Sequence, residues 1–179
     1  MEDKSRCTDI RIERKSMVTN IKFDMIRYFK NDVKQVDHAL KVHGFASTIA
    51  GLEGLPEDKR IVTELAAILH DIGIEEAERK HNSRAGHFQE IEGPPIASDI
   101  LSRNGVPKET IERVCFIVGN HHTYHKVDDI DFRIVVESDF IVNLSEGNLK
   151  NPDIADIKDK YFTTATGKQI LDSLYLKIK

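Results

Sequence analysis

Apolar positions along the chain recur at spacings of three and four residues, and glycine, proline and asparagine cut that pattern into helix-length pieces. A first helix is predicted over Met17 to Lys30. A second follows Asp32, which can cap it with Gln35 three positions on, and runs to about Leu52 before Gly54. Glu57 to Ile72 forms a third, with Pro56 at its entry. Pro94 and Pro95 suit the first turn of a fourth, which stops at Asn104-Gly105. Pro107 opens a fifth that ends near His121, and a sixth runs from about Ile130 to Ser145, stopped by Gly147. Thr164 or Thr166 caps a last helix through Leu176. Between Gly73 and Ile91 only Ile74 to Lys80 reads as helical, and the rest of that polar stretch is expected to be an irregular lid. Short β-branched runs such as Ile134-Val135-Val136 sit inside longer helical periods and lack hairpin turns. The expectation is an all-α, compact bundle of about six to eight helices. Residues 1–16 read as a polar N-terminal arm, 17–150 as the helical domain, and 151–179 as a C-terminal extension.

Composition narrows the partners more than the fold. The 179 residues are 40 % hydrophobic and 31 % charged, as in an ordinary soluble domain. A net charge of −4 argues against a nucleic-acid binder that relies on a broad basic face, but leaves room for a small anionic ligand near a metal. No apolar stretch is long enough to span a bilayer and no apolar leader follows Met1, so the expected location is cytoplasmic. Cys7 and Cys115 form no metal-spaced pair, and Cys115 in its apolar run reads as a buried, idle thiol.

The chemistry concentrates at Glu64-Leu65-Ala66-Ala67-Ile68-Leu69-His70-Asp71-Ile72-Gly73. This helix is apolar nearly all round, so it should be central, and its end presents an imidazole and a carboxylate side by side. A buried carboxylate needs a partner, and a metal ion is one of the few that suffices. The plainer alternative is that Asp71 caps the next turn and His70 packs in the core. On the second helix, at ~100° per residue, Val42, Phe45 and Ile49 fall within about 40° of His38, which puts that histidine on the buried stripe; His43 lies about 140° away. On the sixth helix Asp139 shares a face with Phe132, Val135 and Val136, facing inward either to a metal or to an arginine. Such an N/O ligand set suits Mn, Fe, Co, Mg or Zn.

The run His38-Ala39-Leu40-Lys41-Val42, then Leu65 through Gly73 with its His70-Asp71 pair, then a distant Asp139, resembles the HD-domain phosphohydrolase superfamily. The resemblance extends from about Asp37 to Leu144. It implies a helical fold and a divalent metal, with Ni joining the candidates, held by His38, His70, Asp71 and Asp139; His43 is the fallback for His38. Many members hold two ions through further histidines. Here Glu92-Gly93-Pro94-Pro95 departs from that pattern, leaving Glu92 as a ligand, an acid or base, or a partner for a helix N-terminus. His121 and His122 match the place of another family histidine, with His121 favoured because Val118 precedes it by three. One ion or two stays open.

The implied activity is hydrolysis of a small phosphate ester, such as a nucleotide, by a metal-activated water. Asp71 would orient that water, Glu92 or His121 would protonate the leaving oxygen, and Lys80 and Arg84 would contact the substrate phosphate. A non-catalytic nucleotide- or metal-sensing module and a di-iron oxygenase are the alternatives. His81, His87 and His125 read as surface loop residues. The segment Tyr161-Phe162-Thr163-Thr164-Ala165-Thr166-Gly167 and the helix after it pack on the core or on a second subunit, so a homodimer is also open.

Overall fold

The computed structural model describes residues 4–149 and 153–176, with side chains from residue 16 onward. Among the described residues there are nine α-helices and no strand: α1 (Lys4–Phe29), α2 (Val33–Leu52), α3 (Glu57–Leu69), α4 (Ile74–His81), α5 (Gly86–Arg103), α6 (Lys108–Val118), α7 (Ile130–Ser145), α8 (Ile154–Tyr161) and α9 (Ala165–Tyr175). None of them is long and apolar enough to cross a membrane.

The centre of the bundle is α3, packed against α1, α2, α6 and α7. Leu65 to Leu69 are all buried, as a helix apolar on every side requires. Helix α7 is nearly as enclosed, with Phe132, Ile134, Val135, Val136, Ile141 and Val142 inside, so its β-branched run is a buried helix face. Several ends fall where local chemistry places them. Asp32 Oδ1 accepts the Gln35 amide at 3.2 Å, Asp153 and Thr164 cap α8 and α9, and Gly54 ends α2 with φ +69°, which an L side chain resists.

Two segments differ from the expectation. Residues 4–16, read as a polar arm, are helical: they hold no Gly or Pro, and five of the thirteen are Lys or Arg, which are good helix formers. The lid does not form either. After α4 only residues 82–85 are irregular, and α5 starts at Gly86, eight residues before the prolines. Pro94 and Pro95 therefore stand inside α5, where each deprives a carbonyl one turn earlier of its amide donor. The Glu90 carbonyl, one of the two, lies beside Gly119 at the end of α6. Cys115 is half-buried there, with its thiol against the Pro94 carbonyl at 3.4 Å and held protonated by burial.

Helices α4 and α5 cross at a glycine contact. A Cβ on Gly73 would lie 2.5 Å from the Gly93 nitrogen and 2.6 Å from the Gln89 carbonyl oxygen, and neither backbone atom can turn aside. Gly73→Ala is expected to destabilise the protein by about 3 kcal/mol, the upper part of the overpacking range, measured by urea unfolding.

Candidate metal centre

The C-terminal end of α3, the second turn of α2, the middle of α7 and the turn after α6 meet at one point. His38 Nε2 lies 3.2 Å from His70 Nε2 and 3.1 Å from Asp139 Oδ1, and Asp71 Oδ2 stands 3.6 Å from both histidine nitrogens. On the other side of Asp71, its Oδ1 is 3.3 Å from His121 Nε2. His38, His70 and Asp71 form one group of candidate ligands, and Asp71, His121 and His122 a second. Asp71 belongs to both.

The outer nitrogens decide what these contacts mean. His38 Nδ1 faces Glu146 Oε2 at 2.9 Å, His70 Nδ1 faces the Ala67 carbonyl at 2.9 Å, and His121 Nδ1 faces the Val118 carbonyl at 2.8 Å. Each partner only accepts, so each Nδ1 carries the hydrogen and each Nε2 presents a lone pair inward. Lone pair then faces lone pair at His38–His70, and lone pair faces carboxylate oxygen at His38–Asp139 and His121–Asp71. Only a cation or a proton removes that conflict. Ligands about 2.0–2.2 Å from one ion stand roughly 3.0–3.5 Å from each other, close to the 3.1–3.7 Å at which His38 and His70 stand from one another and from Asp71 and Asp139. The donor set fits a divalent metal.

Without metal, protons take that place. Burial opposes charge on His70, yet Asp71 and Asp139 prevail and raise it to about 9; His38 is likewise raised, Asp139 prevailing over burial. Both aspartates resist burial and are held well below the usual carboxylate range by these histidines. His122 behaves oppositely: burial and then the neighbouring His121 push it down to about 4. In the unfolded chain a histidine loses its proton near ~6.5. The stability that His70 contributes to the metal-free fold is therefore whole below that pH and is lost as pH rises toward about 9. In a chelator the melting temperature should fall across this window, and saturating Mn²⁺ should remove the fall; calorimetry from pH 6.5 to 9 checks it.

The remaining candidates sit differently. His43 is buried but pairs with Glu64 at 3.3 Å, so His38 and not the fallback reaches the cluster. Glu92 is in neither ligand group. It accepts from Lys80 Nζ at 2.6 Å and pairs with His81 at 2.8 Å, which hold its carboxyl below the usual range. It also lies within α5 rather than at its start, so it does not serve a helix N-terminus. Lys80 is taken up by Glu92 and Glu76, and Arg84 by Asp32 and Glu78. His87, His125 and His81 are exposed, the last stacked on Phe88, but His81 ends α4 and His87 lies in the first turn of α5, so neither of these two is a loop residue.

Three residues that the sequence reading passed over hold the site in place. Glu146 orients His38 and is itself held by Lys41 at 2.9 Å. It follows Asp139 by seven residues, two turns on the same face, and that spacing was available in the sequence. Gln89 meets His122 Nε2 at 3.3 Å, and Glu90 bonds the backbone and side chain of residues 122 and 123. They were hidden by the assumption that α5 begins at its prolines.

Residues 36–155 match the family model of the HD domain. The fold is similar to the crystal structure of a predicted HD superfamily hydrolase from an uncultured Thermotogales bacterium, with a TM-score of 0.63 and 18 % identity. That likeness covers 90 % of this chain and 84 % of the other. No curated protein sequence matches the chain.

Proposed function

The chain belongs to the HD domain family, and from that premise we propose that it is a metal-dependent phosphohydrolase acting on a small phosphate ester such as a nucleotide. The observation that carries the reading is the inward convergence of the His38, His70 and His121 Nε2 lone pairs on Asp71 and Asp139, with every Nδ1 already committed. His38, His70 and Asp71 would hold one divalent ion, with Asp139, 3.1 Å from His38 Nε2, as its further ligand, and Asp71, His121 and His122 could hold another. A bound divalent ion supplies a water ionising near ~7 and positive charge for phosphoryl oxygens.

The chain's own groups do the rest. Asp71 stays ionised at neutral pH and offers a carboxylate oxygen to each side, so it can accept a hydrogen bond from an attacking water and orient it while keeping its place. Its side chain and that of Asp139 keep 15 % and 12 % of their surface open, giving a small anion a way in. Glu92, ionised against Lys80 and His81, is a poor proton donor, and His121 could protonate the leaving oxygen only where its Nε2 carries a proton instead of a cation. Lys80 and Arg84 can reach a phosphate only by giving up their carboxylate partners.

The test is phosphate release from a panel of mononucleotides and simple phosphomonoesters with Mn²⁺, Co²⁺, Mg²⁺ or Ni²⁺. Metal-dependent release with at least one substrate is expected. Full metal loading with no release across the panel would turn the reading to a sensing module.

A further inference from the structure

The second ligand group contains two adjacent histidines, and α5 sets which nitrogen one of them presents. Gln89 is buried, and its amide is oriented by its neighbours. Its Nε2 donates to the Arg84 carbonyl at 2.6 Å, so Oε1 is the atom facing His122 Nε2 at 3.3 Å. A carbonyl oxygen accepts; His122 therefore carries its hydrogen on Nε2 and its lone pair on Nδ1. Packing agrees. A Cβ on Gly86 would run into Cδ2 of the His122 ring and stand 3.0 Å from Nε2, so the Cδ2–Nε2 edge lies against the start of α5. Glu90 holds the backbone of the same turn, accepting the His122 amide at 3.0 Å and the Thr123 hydroxyl at 2.9 Å on both oxygens. His121 has the reverse arrangement, with Nδ1–H on the Val118 carbonyl and Nε2 toward Asp71.

We propose that Gln89 and Glu90 are positioning residues that fix His122 as an Nδ1 donor beside the Nε2 donor of His121, so that α5 sets the cation affinity of the Asp71–His121–His122 group. This rests on the proposed function only in so far as a cation is held there.

Two measurements test it. Long-range ¹⁵N–¹H spectra of ¹⁵N-histidine protein in chelator at pH 8, with His122 identified by His122→Asn, should show the Nε2–H form of His122. Gln89→Leu should lose that preference, and Gln89→Glu, which keeps an acceptor in place, should restore it. An Nδ1–H ring in the parent protein overturns the proposal, as does a Gln89→Leu protein, shown folded by circular dichroism, that keeps the Nε2–H form. In Mn²⁺ titrations Gln89→Leu should weaken one of two equivalents by about 10–100-fold, the usual effect of losing such an orienting bond, and spare the other. Unchanged affinity at both overturns the positioning role. A single equivalent in the parent protein overturns the second cation group while leaving the His38–His70–Asp71–Asp139 reading intact.

Discussion

Asp71→Asn is expected to lower phosphoester turnover by at least about 10³-fold, because water activation and charge stabilisation are lost together, and to strip metal from the purified protein. Asp71 is the one residue common to both ligand groups, with Oδ2 toward His38 and His70 and Oδ1 toward His121. An amide keeps the shape but not the charge, and it turns an NH₂ toward one set of inward lone pairs whichever way it is placed. His70→Ala should empty the first group alone and His122→Ala the second, so Asp71→Asn is expected to exceed either. His125→Ala, on an exposed 3-10 turn, should leave metal content unchanged. Metal analysis after gel filtration, run beside the phosphate assay, reads all four variants. Normal metal and normal turnover in Asp71→Asn would remove the basis of the proposed function.

The largest stability effect is expected away from the metal, at Glu137. This carboxylate on α7 is fully buried, accepts the Thr163 and Thr164 amides at 2.6 and 3.0 Å, and takes the Thr164 hydroxyl as well. Thr164 in turn caps α9 through the Gly167 amide at 2.9 Å. Burial pushes the Glu137 carboxyl upward in spite of these bonds, so the charge itself is costly and the acceptor oxygens are what α9 needs. Glu137→Ala strands those donors and leaves a cavity, for about 4 kcal/mol and a fall of roughly 10 °C in melting temperature. Glu137→Gln keeps an acceptor for the two amides without the charge and should stay within about 1 kcal/mol of the parent. Equal losses in the two variants would show that charge, not hydrogen bonding, ties α9 to α7.

What the sequence made legible was whatever repeats with the helical period. The buried course of α3, the inward turn of His38 and the inward turn of Asp139 all follow from apolar spacing, and a carboxylate beside a histidine at the end of a buried helix asks for a cation. What it concealed depended on partners distant along the chain. Pro94 and Pro95 look like a helix start because proline is favoured there; only the contact of Glu90 with the turn after α6 shows why a helix runs through them. Gln89 and Glu90 look like ordinary polar residues until α5 is extended back to Gly86. The pairing of Lys80 with Glu92 and of Arg84 with Asp32 and Glu78 is equally silent in sequence, since those acids lie between 6 and 52 positions away and share no helical period with their partners.

The paired prolines have a mechanical consequence. They interrupt the amide ladder of α5 between the turn that carries Gln89 and Glu90 and the turns anchored by Ala97, Ile100 and Leu101. The front half of this helix is therefore held less by its own ladder than by what it touches: Gly93 against Gly73, Gln89 against His122 and Glu90 against the turn after α6. Removing one of those contacts, as in Glu90→Ala, should then quicken deuterium uptake at residues 89–93 while leaving 97–103 unchanged.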